Sequence, residues 1–294
     1  MSDRISSFTA SLRALAERRR RWRMPLLLAG LVLFVVGCVI SIRDLGIAPQ
    51  DIDGKALAIL LALLAPLGLA YAATNMLVTA KAAEVEMNFG QAFRVASFAQ
   101  LAEVLPLPGG AIVRTAALVK GGATTTHSAS HVFANALVWI ACAAIAAGLS
   151  LLSLGWVPAL LALGGLVIAI GATGWLAWHA GPALAMLSLV LRILGLLLVA
   201  VRLFFAFAAL QLAVGFDETL VFAFASIAGS ASSIAPAGLG ISEAFAAILS
   251  QATSTVPAAA FIAVGLNRLI SLLMAALASG IFTLAATGAP ETAE

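Results

Sequence analysis

Hydrophobic residues along the chain fall into six long runs that are separated by short polar stretches. A helix rises about 1.5 Å per residue and the hydrocarbon core of a bilayer is about 30 Å thick, so runs of this length can cross it. The expected transmembrane helices are 24–42, 55–80, 128–152, 156–179, 183–214 and 257–286. We expect a kink in the second of them, because Pro66 and Gly68 lie at its centre.

Two further apolar segments are too short to cross a membrane, and each is broken by proline and glycine. The legs are 91–105 and 111–120 around the break at 106–110, and 218–234 and 241–251 around the break at 236–240. The longest of these legs gives roughly 25 Å of helix, which is less than the bilayer core. We expect each segment to form a re-entrant helical hairpin that dips to mid-depth and returns to the same side.

Charged residues in the loops indicate the orientation. Seven of the sixteen Lys and Arg residues lie in 1–23, which predicts a basic cytoplasmic arm and not a nucleic-acid-binding segment. With that arm inside, the units 55–152 and 183–287 enter the membrane from opposite sides, because the helix 156–179 lies between them. This arrangement is an inverted repeat, as in many secondary transporters. The short tail, 288–294, is then also cytoplasmic.

The composition favours the same class of protein. Hydrophobic residues make up 63% of the chain and charged residues 10%, whereas soluble domains are near a quarter charged. Cys38 and Cys142 both lie in apolar runs, so the sequence shows no disulfide framework. No three His, Cys, Asp or Glu residues are spaced as metal ligands. We therefore expect an all-α integral membrane protein, with one transmembrane domain at 24–287, that uses no metal or cofactor.

Arginines inside apolar segments are the first candidates for substrate binding. A charge at the centre of a bilayer costs about 2.5–3.5 kcal/mol even on the more lenient scales. We therefore expect a functional role for Arg114, Arg202 and Arg268. The N-termini of broken helices also favour anions. Glycine lets a backbone or a ligand approach closely, and the glycines of the two breaks are Gly109, Gly110, Gly238 and Gly240. Together these residues predict a site for an anionic headgroup.

The carboxylates allow two interpretations. Glu243 is the best candidate for a protonatable coupling group, with Glu103 and His131 as further candidates for gating or proton relay. Alternatively, Glu103 pairs with Arg114 and Glu243 with Arg268, and the pairs only hold the hairpins together. The sequence leaves both open. Arg192 is expected to extend its side chain along the helix to the inner interface.

The two breaks resemble the paired signatures of the lysylphosphatidylglycerol synthase transmembrane family. The resemblance rests on Pro106…Gly109-Gly110…Arg114, on Pro236…Gly238-Leu239-Gly240…Glu243, and on the later Asn267-Arg268-Leu269. It covers roughly 20–287. In bifunctional members this part is a lipid flippase and a separate soluble part transfers the aminoacyl group, so the resemblance implies transport without synthesis. Stand-alone members also accompany pathways for hopanoids and lipid-linked sugars.

The chain departs from the family's pattern after the first break. An arginine that is often found there is missing, and the matching region has His131, Asn135 and Trp139. A specificity for aminoacyl lipids is therefore not carried over.

The expected function is movement of an anionic lipid or lipid-linked intermediate between the leaflets of a bacterial inner membrane by alternating access, without enzymatic activity. Two alternatives stay open. One is a membrane-embedded enzyme that acts on a lipid phosphate with Glu243 as general base. The other is an accessory scaffold for enzymes of lipid biosynthesis, which are also the possible protein partners of a transporter.

Overall fold

The computed structural model describes residue 25 and residues 28–103, 109–231 and 240–287. Every long regular element in these ranges is a helix. In chain order they are α1 (Leu28–Leu45), α2 (Gly54–Ala82), α3 (Phe89–Ala102), α4 (Gly109–Lys120), α5 (Thr125–Ser150), α6 (Trp156–Ala180), α7 (Pro182–Ala209), α8 (Phe216–Ala231), α9 (Ile241–Leu249) and α10 (Pro257–Thr287). The basic arm, the tail, the prolines of both breaks and Gly238 lie outside the described residues.

Six of these helices are long and apolar enough to cross a membrane: α1, α2, α5, α6, α7 and α10. The prediction of an all-helical, multi-pass membrane protein is therefore confirmed. The other four helices, α3, α4, α8 and α9, correspond to the legs of the two broken segments. Their arrangement relative to a bilayer is part of the proposal below.

Polar side chains cap several helix starts, as expected where unpaired backbone N–H groups would otherwise remain. Before α3, Asn88 accepts a hydrogen bond from the Gln91 backbone N–H at 2.9 Å, and the Gln91 side chain accepts one from the Asn88 N–H at 3.0 Å. Thr124 caps α5 through the His127 N–H. Asp53 caps α2 through the Lys55 N–H at 2.8 Å. These caps explain why the helices begin where the apolar runs begin.

Where the sequence predicts a kink, α2 has a π-helical turn, Leu60–Leu64, that ends two residues before Pro66. Proline has no N–H and its ring clashes with the preceding turn, so a regular hydrogen-bond ladder cannot run through this position. The ladder widens instead, and the Ala65 N–H donates to the Leu60 carbonyl five residues back. The helix continues to Ala82.

The short helices contact the long ones in a reciprocal pattern. α3 packs on α4, and α8 packs on α9. α3 also contacts α10, which ends the second half of the chain, while α8 contacts α5, which ends the first half. In the same way α2 contacts α10 and α7 contacts α5. The first short helix of each half therefore packs against the last long helix of the other half, while α4 and α9 contact the last long helix of their own half.

Glycines allow the two short-helix pairs to pack closely. A Cβ atom on Gly109, at the start of α4, would overlap the Ala102 carbonyl oxygen at the end of α3. A Cβ atom on Gly229, near the end of α8, would overlap the Ser242 side chain of α9. In both pairs the helices meet backbone to backbone near the break, which requires a residue without a side chain.

The outer helices present apolar side chains away from the bundle. α1 is attached through the stacked rings of Phe34 and Phe261, whose centroids lie 6.4 Å apart, and most of its remaining residues face outward. α6 exposes a similar surface that includes Val167, Ile170 and Trp178. Apolar surfaces of this extent on a helical bundle are suited to contact with lipid.

Candidate functional site

The first ion pair joins the two short helices of the first half. Arg114 of α4 donates from Nη2 to Glu103 Oε1 at 3.3 Å. Both side chains are partly accessible, at 34% for Arg114 and 42% for Glu103. A Cβ atom on Gly110 would lie 2.7 Å from Glu103 Oε1, so the glycine leaves room for this carboxylate. This ion pair is therefore partly exposed where α3 meets α4, and either residue can give up the other for a different charged group.

The second ion pair is buried. Arg268 of α10 donates from Nη1 to Glu243 Oε1 at 3.3 Å, and the side chains are 10% and 0% accessible. Arg268 Nη2 also donates to Ser230 Oγ at 2.6 Å, so one guanidinium joins α8, α9 and α10. Glu243 Oε2 is buried and has no hydrogen-bond partner in the part of the chain that the structure describes. Glu243 lies in the first turn of α9, where the helix dipole favours a carboxylate.

Arg202 is buried and bonded to α10. Its Nη2 donates to the Asn267 carbonyl at 3.2 Å and to Ser271 Oγ. A Cβ atom on Gly68 would lie 2.8 Å from Arg202 Nη1, so the glycine of α2 leaves space for the guanidinium. Arg202 therefore links α7 to α10 beside α2, and no carboxylate of the described ranges pairs with it.

Arg192 does not extend to the interface as expected, because its guanidinium lies over the Trp139 ring, 5.4 Å from the centroid. Tyr71 stacks on Trp139 with centroids 6.1 Å apart, and its hydroxyl lies close to Arg192. The Asn75 amide donates to the Tyr71 hydroxyl at 3.3 Å. Gly195 makes room for the Tyr71 ring. We call Arg192, Tyr71, Trp139 and Asn75 the aromatic–arginine cluster.

Sequence reasoning missed this cluster, although a signal was present. Arg192 is the eleventh residue of α7, about 15 Å from the helix start, and an arginine side chain is too short to reach water easily from that depth. The position of Arg192 deep within the helix was therefore the signal that it belongs to a site.

His131 belongs to a different group of side chains, between α5 and α6. It is buried, its Nδ1 lies 2.9 Å from the His127 carbonyl, and its ring meets Trp175 edge-on at 5.2 Å. The rings of His127 and His179 continue the stack on either side. The three histidines of the chain thus form one column with Trp175. The spacing of four residues in both helices was the available signal.

Glu218 joins the start of α8 to the loop before α10. Its carboxylate accepts from the Ser254 N–H and hydroxyl at 2.7 Å, from Thr255 Oγ1 at 2.9 Å and from the Gly215 N–H at 3.2 Å. Burial alone would raise the pKa of this carboxyl, but these four donors favour the charged form and hold the pKa below its ordinary value. These hydrogen bonds join α8 to the loop before α10 at one end of the second half.

The predicted site residues are therefore distributed over separate contacts. Of the four arginines that are buried or half-buried, two pair with carboxylates, and Arg192 and Arg202 have no carboxylate partner among the described residues. Gly240 has a positive φ of 77° at the start of α9 and lies close to Gly30 and Leu33 of α1. Positive charge therefore exceeds negative charge among these buried and half-buried residues.

Within the described residues, no three His, Cys, Asp or Glu side chains are grouped closely enough to hold a metal ion. Comparison of the sequence with protein-family models and with curated proteins finds no match.

Proposed function

We propose that this protein is a flippase-like lipid transporter that moves an anionic lipid or lipid-linked intermediate between the leaflets of a bacterial inner membrane. The observation that carries the proposal is the pair of arginines, Arg192 and Arg202, that both lie within the long apolar helix α7 without a carboxylate partner in the described ranges. Unpaired charges at such depth are expensive, and they are retained where an anion passes or binds.

The proposed architecture is an inverted repeat with two re-entrant hairpins, α3–α4 and α8–α9. The reciprocal contacts support it, because a two-fold relation between the halves would exchange α3 with α8 and α10 with α5. The short helices support it too, since α9 has nine residues and α4 has twelve, too few to cross. The resemblance of the two breaks to the lysylphosphatidylglycerol synthase transmembrane family points to the same function.

In the proposed mechanism the headgroup enters beside the first hairpin. The accessible Arg114 exchanges Glu103 for the anionic headgroup at little cost, because an exposed ion pair contributes only about 0–1 kcal/mol. The headgroup then moves between the hairpins while its acyl chains stay in lipid. Movement of one hairpin against the other would open the opposite side.

Leaflet exchange in proteoliposomes tests the proposal directly. Phosphatidylglycerol and phosphatidylcholine that carry a fluorescent headgroup or tail label are reconstituted with the full chain, and dithionite bleaches the outer leaflet. We expect wild-type protein to expose the inner-leaflet phosphatidylglycerol to bleaching faster than phosphatidylcholine. The proposal would be overturned if the protein speeds the exchange of no anionic lipid that is tested.

Cysteine labelling tests the inverted repeat independently of transport. Val119 lies near the end of α4, and Ala252 lies in the turn that follows α9. On a background without native cysteines, Val119→Cys should label with an impermeant maleimide from the cytoplasmic side and Ala252→Cys from the outside. Labelling of both from one side would refute the inverted repeat.

A membrane-embedded enzyme is the second candidate, because Glu243 presents a buried oxygen that no described residue bonds. Such a carboxylate can act as a general base. Conversion of a lipid phosphate by purified protein, without leaflet exchange and lost in Glu243→Gln, would favour the enzyme over the transporter.

A further inference from the structure

We propose that the aromatic–arginine cluster, with Arg114 beside it, is the site where the transporter binds the phosphate group of its substrate. In its lipid form the inference rests on the proposed function, since a lipid phosphate reaches this depth only during transport. The cluster joins residues of α2, α5 and α7, and Arg114 contributes from α4.

Arg192 and Arg202 differ in the acceptors that surround them. Arg202 donates to a backbone carbonyl and a serine hydroxyl of α10, which satisfy part of its guanidinium. Arg192 instead has the face of Trp139, with the Tyr71 hydroxyl close by. The Nε of both arginines is buried without a hydrogen-bond partner in the described ranges. A guanidinium that is held by an aromatic face but lacks an anionic acceptor is suited to bind one.

The other polar groups of the cluster are also mainly donors. The Asn75 amide nitrogen donates to the Tyr71 hydroxyl, whose own O–H proton is left to donate, and this hydroxyl lies close to Arg192. Arg114 lies within electrostatic range of Arg192, and its pair with Glu103 is accessible and exchangeable. Two guanidiniums and a hydroxyl present more donors than the two oxygens of a carboxylate can accept. A phosphate group, with three or four oxygens, matches this set better.

The depth of the cluster agrees with a substrate in transit. Tyr71 lies eleven residues before the end of α2, and Arg192 and Trp139 lie ten and fourteen residues after the starts of α7 and α5. These positions correspond to about 15–21 Å from the same side of the bundle, near the middle of a bilayer core. A phosphate held there lies within the membrane core and away from both surfaces, as alternating access requires of a central site.

Binding to purified full-length protein in detergent tests the site without any transport. The probes are inorganic phosphate, dihexanoyl phosphatidylglycerol, the matching diacylglycerol without phosphate, and acetate. We expect Arg192→Gln to weaken phosphatidylglycerol binding at least tenfold and Tyr71→Phe to weaken it about threefold to tenfold. Arg94→Gln is the matched control, because Arg94 is exposed on α3 and its loss should leave binding unchanged.

The probes separate the possible ligands. Tighter binding of phosphatidylglycerol than of phosphate identifies a lipid headgroup, and tighter binding of inorganic phosphate identifies a site for the free ion. Equal binding of acetate, or of diacylglycerol, would contradict the assignment to phosphate. If Arg192→Gln does not fold, Tyr71→Phe decides, because it removes only a hydroxyl; wild-type affinity in Tyr71→Phe would then overturn the site.

The outcome also separates this inference from the proposed function. Phosphate binding that depends on Arg192, in a protein that exchanges no lipid, would keep the site and refute the transporter. Lipid exchange that is unchanged in a folded Arg192→Gln would keep the transporter and refute the site.

Discussion

The ion pairs of the two short-helix pairs have the same N–O distance, 3.3 Å, but opposite surroundings. The Glu103–Arg114 pair is 42% and 34% accessible, whereas the Glu243–Arg268 pair is 0% and 10% accessible. Solvent weakens the first pair and makes it exchangeable. Burial makes the second pair hard to separate, since either charge alone would be left without water.

The pairs also differ in what they connect. The first joins α3 to α4 within one short-helix pair, while the second joins α9 to α10 and, through Ser230, to α8. The second half of the bundle is therefore fixed by its own charges. The first half keeps Arg114 accessible, and its Trp139 ring lies against Arg192 of α7, a second-half arginine that pairs with no carboxylate in the described ranges.

The largest expected effect comes from breaking the buried pair on one side. Arg268→Met leaves Glu243 uncompensated and should destabilise the protein by about 3–5 kcal/mol, measured by unfolding in detergent. The double variant Glu243→Leu/Arg268→Met removes both charges and should recover most of that loss. A single variant as stable as wild type would show that the buried pair does not hold the second half together.

A smaller effect is expected from adding one methyl group where the short helices cross. Gly109→Ala places a Cβ onto the Ala102 carbonyl and should cost about 1–3 kcal/mol, because a backbone atom cannot move aside easily. Gly164→Ala is the matched control, since Gly164 lies in α6 with nothing near its Cβ position. The control should be neutral or stabilising by up to about 1 kcal/mol. Equal stability of both variants would contradict the close crossing of α3 and α4.

Hydropathy alone predicted the long helices to within a few residues at most ends. The run 55–80 became Gly54–Ala82, but the run 183–214 ends as a helix at Ala209. The chain turns there with Gln211 at a positive φ of 55°, while Leu212 and Val214 still pack against the core. An apolar residue in a turn and one in a helix look alike in sequence, so hydropathy could not locate this end.

The site was harder to predict than the helices, because it depends on rotation about helix axes. Both predicted ion pairs are present, since the spacing of charges around each break restricts their partners. The different surroundings of Arg192 and Arg202 could not be predicted. Ser188, Arg192 and Arg202 fall on the same face of α7 at helical spacing, so the sequence does not show which arginine meets α10 and which meets Trp139.

The accessible pair should separate stability from transport. Arg114→Gln should change the free energy of unfolding by no more than about 0.2–1 kcal/mol, because the pair is exposed. The same variant should slow exchange of phosphatidylglycerol about tenfold or more in proteoliposomes, if Arg114 receives the headgroup. Arg94→Gln removes an equal charge from the outside of α3 and should leave exchange unchanged. A loss of stability as large as that of Arg268→Met would abolish the contrast between the two pairs.

The smallest effect concerns pH and the loop that closes the second half. The Glu218 pKa lies below its ordinary value because four hydrogen bonds, from Ser254, Thr255 and Gly215, favour the carboxylate and outweigh burial. A lowered pKa means that this stabilisation is fully present above the ordinary glutamate pKa and is lost as the pH falls through the folded-state value. Since the carboxyl is largely exposed, solvent screening limits the effect to roughly a few tenths of a kcal/mol.

Glu218→Ala should therefore flatten the acid limb of the stability–pH curve. The measurement is unfolding in detergent between neutral pH and pH values below the ordinary pKa of glutamate. Asp217→Asn changes the same charge one residue earlier and should retain that limb. An unchanged acid limb in Glu218→Ala would mean that the second half is held at this end by contacts other than the Glu218 network.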